Sequence, residues 1–495
     1  MTTVYVSNSG NDDYTVDGTA DDVQINEALL YAHNNGTPSN PVTVYLRGSF
    51  IYELASWLLV GNNTILTGDK TAKLRLKNNA SWENIYTETD PGTEPLLKQR
   101  VSPIKNVEIH NFEIDGNKDN QPGYVHGKLN YIILYFQNAS NISMHDMYLH
   151  DTQSDGMRIS YGDGLYFFNN VVERMGHDGS FFLRSTNFMV FGNSTKIRTN
   201  SAHRVYNSGH GKIFNNYMEP YALVSTAGNP GIQIEHGDAT YDMSGIEVYG
   251  NEIVDAWGEG MWIIEYGTGS SQSNKGLYVH DNIIRRAGRI TTINYNAGIS
   301  IGGWNGAIFE RNTIQDCYNA GFLVYTTAGA PTTLYLKNNV ITGTKLTLNS
   351  TKQTWSGYGV VCPSGYNTTI RATGNGLDGN VSGDYYGNII YTDAIRVSSY
   401  LGMYAAPPTL TDMQEPEEPE GIQEGDWGIV LPSEGGKYKY ILYQFKMPEV
   451  GERCLIYPAH SNKYYLLRLA QNAKPGDKII SITDRKGNSW GVASK

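Results

Sequence analysis

One pattern constrains this chain more than any other: apolar-x-apolar-x-x-Asn-x-apolar returns as LYFFNNVV, FMVFGNST, GKIFNNYM, IEVYGNEI, LYVHDNII, AIFERNTI, LYLKNNVI and IRATGNGL, with small lapses in the second and third. The repeated Asn falls at Asn170, Asn193, Asn216, Asn251, Asn282, Asn312, Asn339 and Asn375, with steps of 23, 23, 35, 31, 30, 27 and 36 residues. A minimum period near 23 fits three short strands and three turns, with the longer steps placed in the turns. VEIHNFEI and ISMHDMYL add two earlier rungs, with Phe112 and Met147 at the Asn position. An Asn repeated at one corner tolerates left-handed backbone and bonds to its copies above and below. Unrelated turn asparagines would not keep this spacing. The pattern predicts an all-β chain whose main body is a right-handed parallel β-helix, a solenoid that lengthens by adding rungs.

A second column runs in step with the first, as SDGMRIS, HDGSFFL, SAHRVYN, NPGIQIE, GEGMWII, NAGISIG, NAGFLVY and GYGVVCP. Its small anchors are Gly156, Gly179, Ala202, Gly231, Gly260, Gly298, Gly321 and Gly359. At the start, DDVQINEALLYAHNNG places Val23, Ile25, Ala28, Leu29 and Ala32 at helical spacing. It predicts a helix over about 21–35 that caps the solenoid, as terminal units require. Asp12, Asp13, Asp17, Asp21 and Asp22 lie around its start; helix capping explains them, with a structural calcium near Asp13 and Asp17 as the alternative. The helical body is expected over 1–405, an acidic Pro-rich linker over 406–425, and a small β domain of short alternating runs over 426–495.

Charged residues are only 18% and the net charge is −11, so no basic face for nucleic acid is present. The three cysteines, Cys317, Cys362 and Cys454, are far apart and read as buried small side chains rather than a disulfide framework or a zinc cluster. The sequence shows no apolar run of bilayer length, so no membrane insertion is expected. The opening MTTVYVSNSG has neither a basic n-region nor an apolar h-region, so no signal peptide is read there.

Alternation along a strand sorts the second column into faces. The outward row is Arg158, Phe181, Arg204, Gln233, Trp262 and Ser300; Asp155, Asp178 and Glu259 precede the anchors, and Tyr206, Glu235, Arg184, His236 and Glu265 follow the row. Carboxylates one or two rungs apart fall in the range of glycosidase acid and base pairs. Asp178 and Glu235 are therefore the first acid and base candidates, with Asp155, Glu259 and Glu265 in reserve. Arg158, Arg184 and Arg204 suit bidentate capture of a substrate carboxylate. Gln233, Tyr206, His236 and Trp262 complete the binding set, although Trp262 also reads as packing under a loop. His177 and His203 are alternative bases, although a lone His beside a small anchor, as His203 is, more often reads as a hydrogen-bonded core residue. Beyond Gly298 the same columns become ISIGG, FLVY and VVCP and the charges stop. The long turns around YALVSTAGNPG, EYGTGSSQSNKG and RAGRITTINYNAG are expected to wall an open groove beside the charged rungs.

Two resemblances follow. EIDGNKDN and the GYVHG after it resemble the alginate C5-epimerases and related pectate-lyase-like β-helices. The chain departs from them at Tyr124 and His126, where they carry Lys and Asp, and its SDGMRIS lacks their Asp-Pro-His triplet, so the resemblance implies their fold rather than their reaction. DYTVDGTADDVQINEALLYA, LTGDKTAKLRL, IDGNKDN, GHDG and RTNSAHRVYN are similar to the disaggregatase family of methanogenic archaea, over roughly residues 1–400. That resemblance implies an extracellular or cell-surface endo-enzyme that cuts an acidic, chondroitin-like heteropolysaccharide; no cofactor is expected. Three functions stay open: hydrolysis of a uronate-containing polymer, β-elimination on the same substrate with His177, His203 or Tyr206 as base, and a non-catalytic adhesin or virus tail fibre. In the last, the C-terminal domain attaches or trimerises the chain as a homo-oligomer.

Overall fold

The computed structural model describes residues 2–392 apart from 81–94, 122–130, 198, 222–227, 266–275, 294 and 327–330. Beyond 392 it describes 395–396, 427–432, 438–443, 453–456, 465–468, 479–483 and 489–494. The expected linker at 406–425, and Tyr124 and His126, lie outside these residues. The chain divides into two compact units, Met1–Val397 and Ser398–Lys495.

The first unit is a right-handed parallel β-helix of three long sheets, with fifteen, thirteen and twelve strands. The strands before each repeated Asn pair in the fifteen-stranded sheet and those after it in the thirteen-stranded sheet; the anchor strands pair in the twelve-stranded sheet. All eight predicted asparagines form one ladder at the corner between the first two sheets. In each step the backbone N–H and Nδ2 donate to Oδ1 of the next Asn, at 3.0 and 3.0 Å from Asn170 to Asn193 and at 2.9 and 2.9 Å from Asn339 to Asn375. Met147 holds the position before the ladder and donates its N–H to Asn170 Oδ1 at 3.1 Å. One detail differs from expectation. The left-handed residue is the one before the ladder Asn, such as Asn169 with φ 55° or Arg311 with φ 53°. The ladder Asn is thus selected for its amide, and its neighbour for the turn.

Inside the coil, the apolar alternation buries one continuous core of Val, Leu, Ile, Phe and Met. The anchors are small because the next rung is close: a Cβ on Gly179 would lie 2.4 Å from the carbonyl oxygen of Ala202, and one on Gly260 2.5 Å from that of Gly298. On the outer face of the fifteen-stranded sheet His145, Phe168, Phe191, Phe214, Tyr249 and His280 stack with centroids 4.4 to 5.1 Å apart. His110 stacks on His145 from the rung before, and acidic residues bond the two later histidines, Glu108 and Asp146 on His145, and Glu247 and Asp281 on His280.

Helix α1 (Asp22–Asn35) buries Ile25, Ala28, Leu29 and Ala32, whereas Val23 faces solvent because it lies on the opposite helix face with Glu27 and Leu30. The acidic residues around its start are engaged with the chain itself. Asp21 accepts the amides of Gly18 and Glu53, Asp22 that of Ala55, Asp13 that of Tyr5 and Asp17 that of Thr19, while Asp12 pairs with Arg47. The second unit contains an antiparallel sheet formed by Trp427–Pro432, Tyr438–Tyr443, Ile479–Thr483 and Ser489–Ser494, and a separate pair, Arg453–Ile456 with Tyr465–Arg468.

Candidate active site

Strand register in the twelve-stranded sheet stacks Arg158, Phe181, Arg204, Gln233, Trp262 and Ser300 in one outward row, as alternation predicts. The inward row beside it reads Met157, Ser180, His203, Ile232 and Met261. His203 therefore points into the wall and not onto the outer face. It is fully buried, its Nδ1 is 3.0 Å from Ser180 Oγ, and burial pulls its pKa down to about 3. The reading of His203 as a catalytic base is corrected: it is a neutral core histidine.

The outward row is itself covered rather than open. Arg158, Phe181 and Gln233 are each no more than 4% exposed, and Asp155, Asp178 and Glu235 no more than 2%. Side chains this large, stacked at rung spacing, shield one another: the Phe181 ring lies between the Arg158 and Arg204 guanidinium groups, 4.4 and 4.5 Å from its centroid. Opposed cations on the two faces of one ring are held there by the acids around them. The row itself is thus a closely packed polar stack, with Arg204 and His177 partly exposed at 19% and 18% of their side chains; the turns expected to wall a groove beside it fall largely at 222–227 and 266–275, outside the described residues.

Three groups of charges follow from the register. In the first, His177 Nδ1 lies 2.7 Å from Asp155 Oδ1 and 3.1 Å from Asp178 Oδ2. Burial alone would lower His177, but Asp178 and Asp155 overcome it and raise its pKa to about 9. Burial alone would likewise raise Asp155; His177, Arg158 and the Asp178 amide reverse this and hold it below the usual carboxylate range. Asp178 Oδ1 accepts from Asn200 Nδ2 and the Ser201 amide at 2.8 and 2.9 Å. In the second group, Arg204 joins Glu235 to that centre, with Nε 2.6 Å from Glu235 Oε2 and Nη1 3.7 Å from Asp178 Oδ2. Gln233 accepts a hydrogen bond from Ser201. In the third, His236 and Glu265 approach to 3.7 Å.

The remaining candidates stand apart. Glu259, in the same pre-anchor position as Asp155 and Asp178, is buried, and that burial raises its pKa to about 7. Arg184 is a rim residue on Tyr161 and Tyr241. Tyr206 stands beside Arg204, its ring 5.9 Å from the guanidinium. Trp262 donates its indole N–H to Tyr325 at 2.8 Å. Sequence reasoning missed Asn200 and Tyr325 because both lie off the repeat, in turn or bulge positions that alternation does not reach.

Among the described residues, three groups bring ligand atoms close enough to share a metal: Asp155 with His177 and Asp178, Glu108 with His110 and His145, and Asp115 with His150 and Asp151. In the first, the His177 Nδ1 proton already bridges the two carboxylates, so the arrangement serves proton transfer as built. No described helix is long and apolar enough to cross a membrane.

Residues 243–401 match the family model described as disaggregatase related, which agrees with the resemblance read in the sequence. The matched segment contains Glu259, Trp262 and Glu265 and begins after Glu235. No curated protein matches the chain by sequence. Among solved structures, the A-module of the mannuronan C-5 epimerase AlgE6 of Azotobacter vinelandii is 16% identical with a TM-score of 0.53, over 80% of this chain and 98% of that one. The catalytic unit of a thermostable GH87 α-1,3-glucanase from Streptomyces thermodiastaticus is 14% identical with a TM-score of 0.54, over 79% and 68%. Pre-mature gene product 12 of bacteriophage phi29 is 15% identical with a TM-score of 0.57, over 78% and 52%. These likenesses are of fold.

Proposed function

We propose, with the disaggregatase-related segment as premise, that this chain is an endo-acting depolymerase of an acidic, uronate-containing and chondroitin-like heteropolysaccharide, working by glycosidic hydrolysis outside the cell or at its surface. The observation that carries the reading is Arg204, one guanidinium in contact with both Asp178 and Glu235. Sharing that group keeps the two carboxylates within about 9 Å of each other, a bound that takes in the separations of both retaining and inverting glycosidases. Asp178, ionised while it pairs with the His177 imidazolium 3.1 Å away, takes that proton and passes it to the leaving oxygen as the glycosidic bond breaks, and His177 regains a proton from solvent. Glu235 activates the water. Arg204, with Arg158 behind Phe181, supplies positive charge for the uronate carboxylate. That mannuronan epimerases and α-glucanases share the coil supports a polysaccharide as substrate class.

β-Elimination on the same polymer needs a neutral base, and the geometry leaves it little choice. His203 is inside the wall and His177 keeps its proton at neutral pH, so Tyr206 is the base that remains. The experiment is digestion of unsulfated chondroitin, followed by viscosity, new reducing ends and the ultraviolet absorbance of a conjugated uronate. Hydrolysis gives falling viscosity and new ends with no absorbance. Growing absorbance makes the enzyme a lyase; a bound polymer of unchanged length makes the chain an adhesin or tail-fibre protein.

A further inference from the structure

The outer face of the twelve-stranded sheet does not end where its charges end. Past Trp262 the outward row continues as Ser300, Leu323, Val361 and Tyr386, without an ionisable acid or base. Leu323 and Val361, with Ala297 and Ala320, form a fully buried cluster separate from the core inside the coil. Onto this aliphatic floor pack four partly exposed aromatic side chains, Tyr325, Trp355, Tyr358 and Tyr386. Tyr295 lies over Tyr325 with centroids 5.5 Å apart and is 42% exposed, and Trp262 is fixed to Tyr325 through its indole N–H.

Such layering is unusual for a surface. Aliphatic side chains are shut away underneath, and rings with polar edges are left on top. A tyrosine or tryptophan so placed presents an apolar face and a hydrogen-bonding rim, which matches a pyranose: axial C–H groups toward the ring, hydroxyls toward its edge and water. A membrane or an apolar protein partner would be met by a broad aliphatic face, whereas here the aliphatic floor is buried and the aliphatics left exposed beside it are Leu346, against Gly357, and Leu348. The patch begins at Trp262, the next residue of the row that carries Arg204 and Gln233, so a polymer lying along the row passes from charged to aromatic surface without leaving the sheet.

We propose that these rungs are a second binding region that takes neutral pyranose units, hexoses or N-acetylhexosamines, of the polymer whose uronate sits on the charged rungs. The substrate is then a mixed chain in which acidic and neutral sugars are both read. This rests on the depolymerase reading above for the polymer's path, but not for the binding itself, which needs no cleavage.

The test is affinity electrophoresis of the full chain in gels containing glycol chitin, a neutral N-acetylhexosamine polymer. The native chain is retarded; Tyr295→Ala weakens the retardation about tenfold, the value of one lost aromatic platform, and Tyr295→Phe restores it. Tyr295 is exposed, so the thermal midpoint of the Ala variant stays at the native value, which separates lost binding from lost folding. Free migration of the native chain in this gel overturns the proposal and means that the patch is closed by the chain itself or serves another partner. Equal retardation of native chain and Tyr295→Ala also overturns it. Neither result bears on cleavage of chondroitin, so a failure here is distinct from a failure of the hydrolase reading.

Discussion

Two columns of this coil repeat one residue per rung and both are buried, yet they treat hydrogen bonds in opposite ways. In the asparagine ladder every member donates to the next, and none of its amide atoms is among the buried polar atoms that lack a hydrogen bond. Along the charged face of the twelve-stranded sheet, Arg158 Nε, both ring nitrogens of His236 and Glu265 Oε2 are buried without one. Buried groups in native proteins are nearly always satisfied, and exceptions concentrate where a ligand supplies the partner. A column that holds the fold together closes its own bonds. A column built for a substrate leaves bonds open.

The largest expected effect breaks the closed column. Asn251→Ala takes the acceptor from the backbone and side-chain amides of Asn216, and the donor from Ile213 O and Asn282 Oδ1. Several buried polar groups lose partners at once, so the variant loses about 3 to 5 kcal/mol. The urea midpoint falls accordingly, while the rate per folded molecule is kept. A loss below about 1 kcal/mol would mean that the ladder decorates the turn rather than holds it.

Next comes the acid that burial keeps neutral. The Glu259 carboxyl has a folded pKa of about 7 against 4.5 in the ordinary state. Because the folded value is raised, its contribution to stability is complete below about pH 4.5 and is lost as pH rises through about 7. The loss is about 3 kcal/mol, an order-of-magnitude figure from the size of the shift. Glu259→Gln removes that slope, so urea unfolding of the variant is flatter than that of the native chain between pH 5 and 7. His177, raised to about 9, also destabilises the fold as pH rises, but in the window from 6.5 through 9. Parallel slopes for the two proteins between pH 5 and 7 would remove Glu259 as the cause.

Asp178→Asn and Glu235→Gln test the open column directly. Each is expected to lower the rate about a hundredfold, the lower range for acid–base groups. Read from the sequence as surface residues, both would leave stability within about 0.5 kcal/mol. Their burial changes that expectation. Glu235→Gln turns the 2.6 Å charge-assisted bond from Arg204 into a neutral one, at a cost of about 1 to 2 kcal/mol. Initial rates normalised to the folded fraction at each temperature keep the two effects apart, and full activity in both variants would place the chemistry on another flank.

The fold was legible because the repeat reports it directly. An Asn every rung and a Gly one turn later fix both the coil and the registry, and strand alternation then gives the faces correctly from Arg158 to Ser300. Alternation failed where a residue's environment depends on more than parity. Parity does put His203, one residue after its anchor, in the inward row; what it does not give is the complete burial that keeps the ring neutral. Val23 is apolar but falls on the solvent face of the helix with Glu27 and Leu30, beside the buried Asp22. The burial of the outward row was illegible for the same reason, since parity gives direction and not cover. Tyr325 is placed by a bulge between Ile301 and Gly302 on the neighbouring strand, and no period predicts a bulge.

The smallest effect is the control that makes the comparison informative. Glu310 is also a carboxylate in a stacked column, between His280 and Lys337, but on the fifteen-stranded sheet. Its Oε2 accepts the Tyr278 hydroxyl at 2.5 Å and pairs with Arg311 at 3.1 Å, so its charge is already engaged by the chain. Glu310→Gln keeps a carbonyl acceptor for Tyr278 and gives up a partly exposed ion pair, worth no more than about 0.5 kcal/mol. Activity on the polymer should stay within about twofold of native, since nothing in this column touches the acid–base pair and the expected change is far below that of a lost catalytic group. The same substitution chemistry, Glu to Gln, is thus silent on one sheet and severe on another. A tenfold fall in rate from Glu310→Gln would say that the closed and open columns have been assigned to the wrong faces.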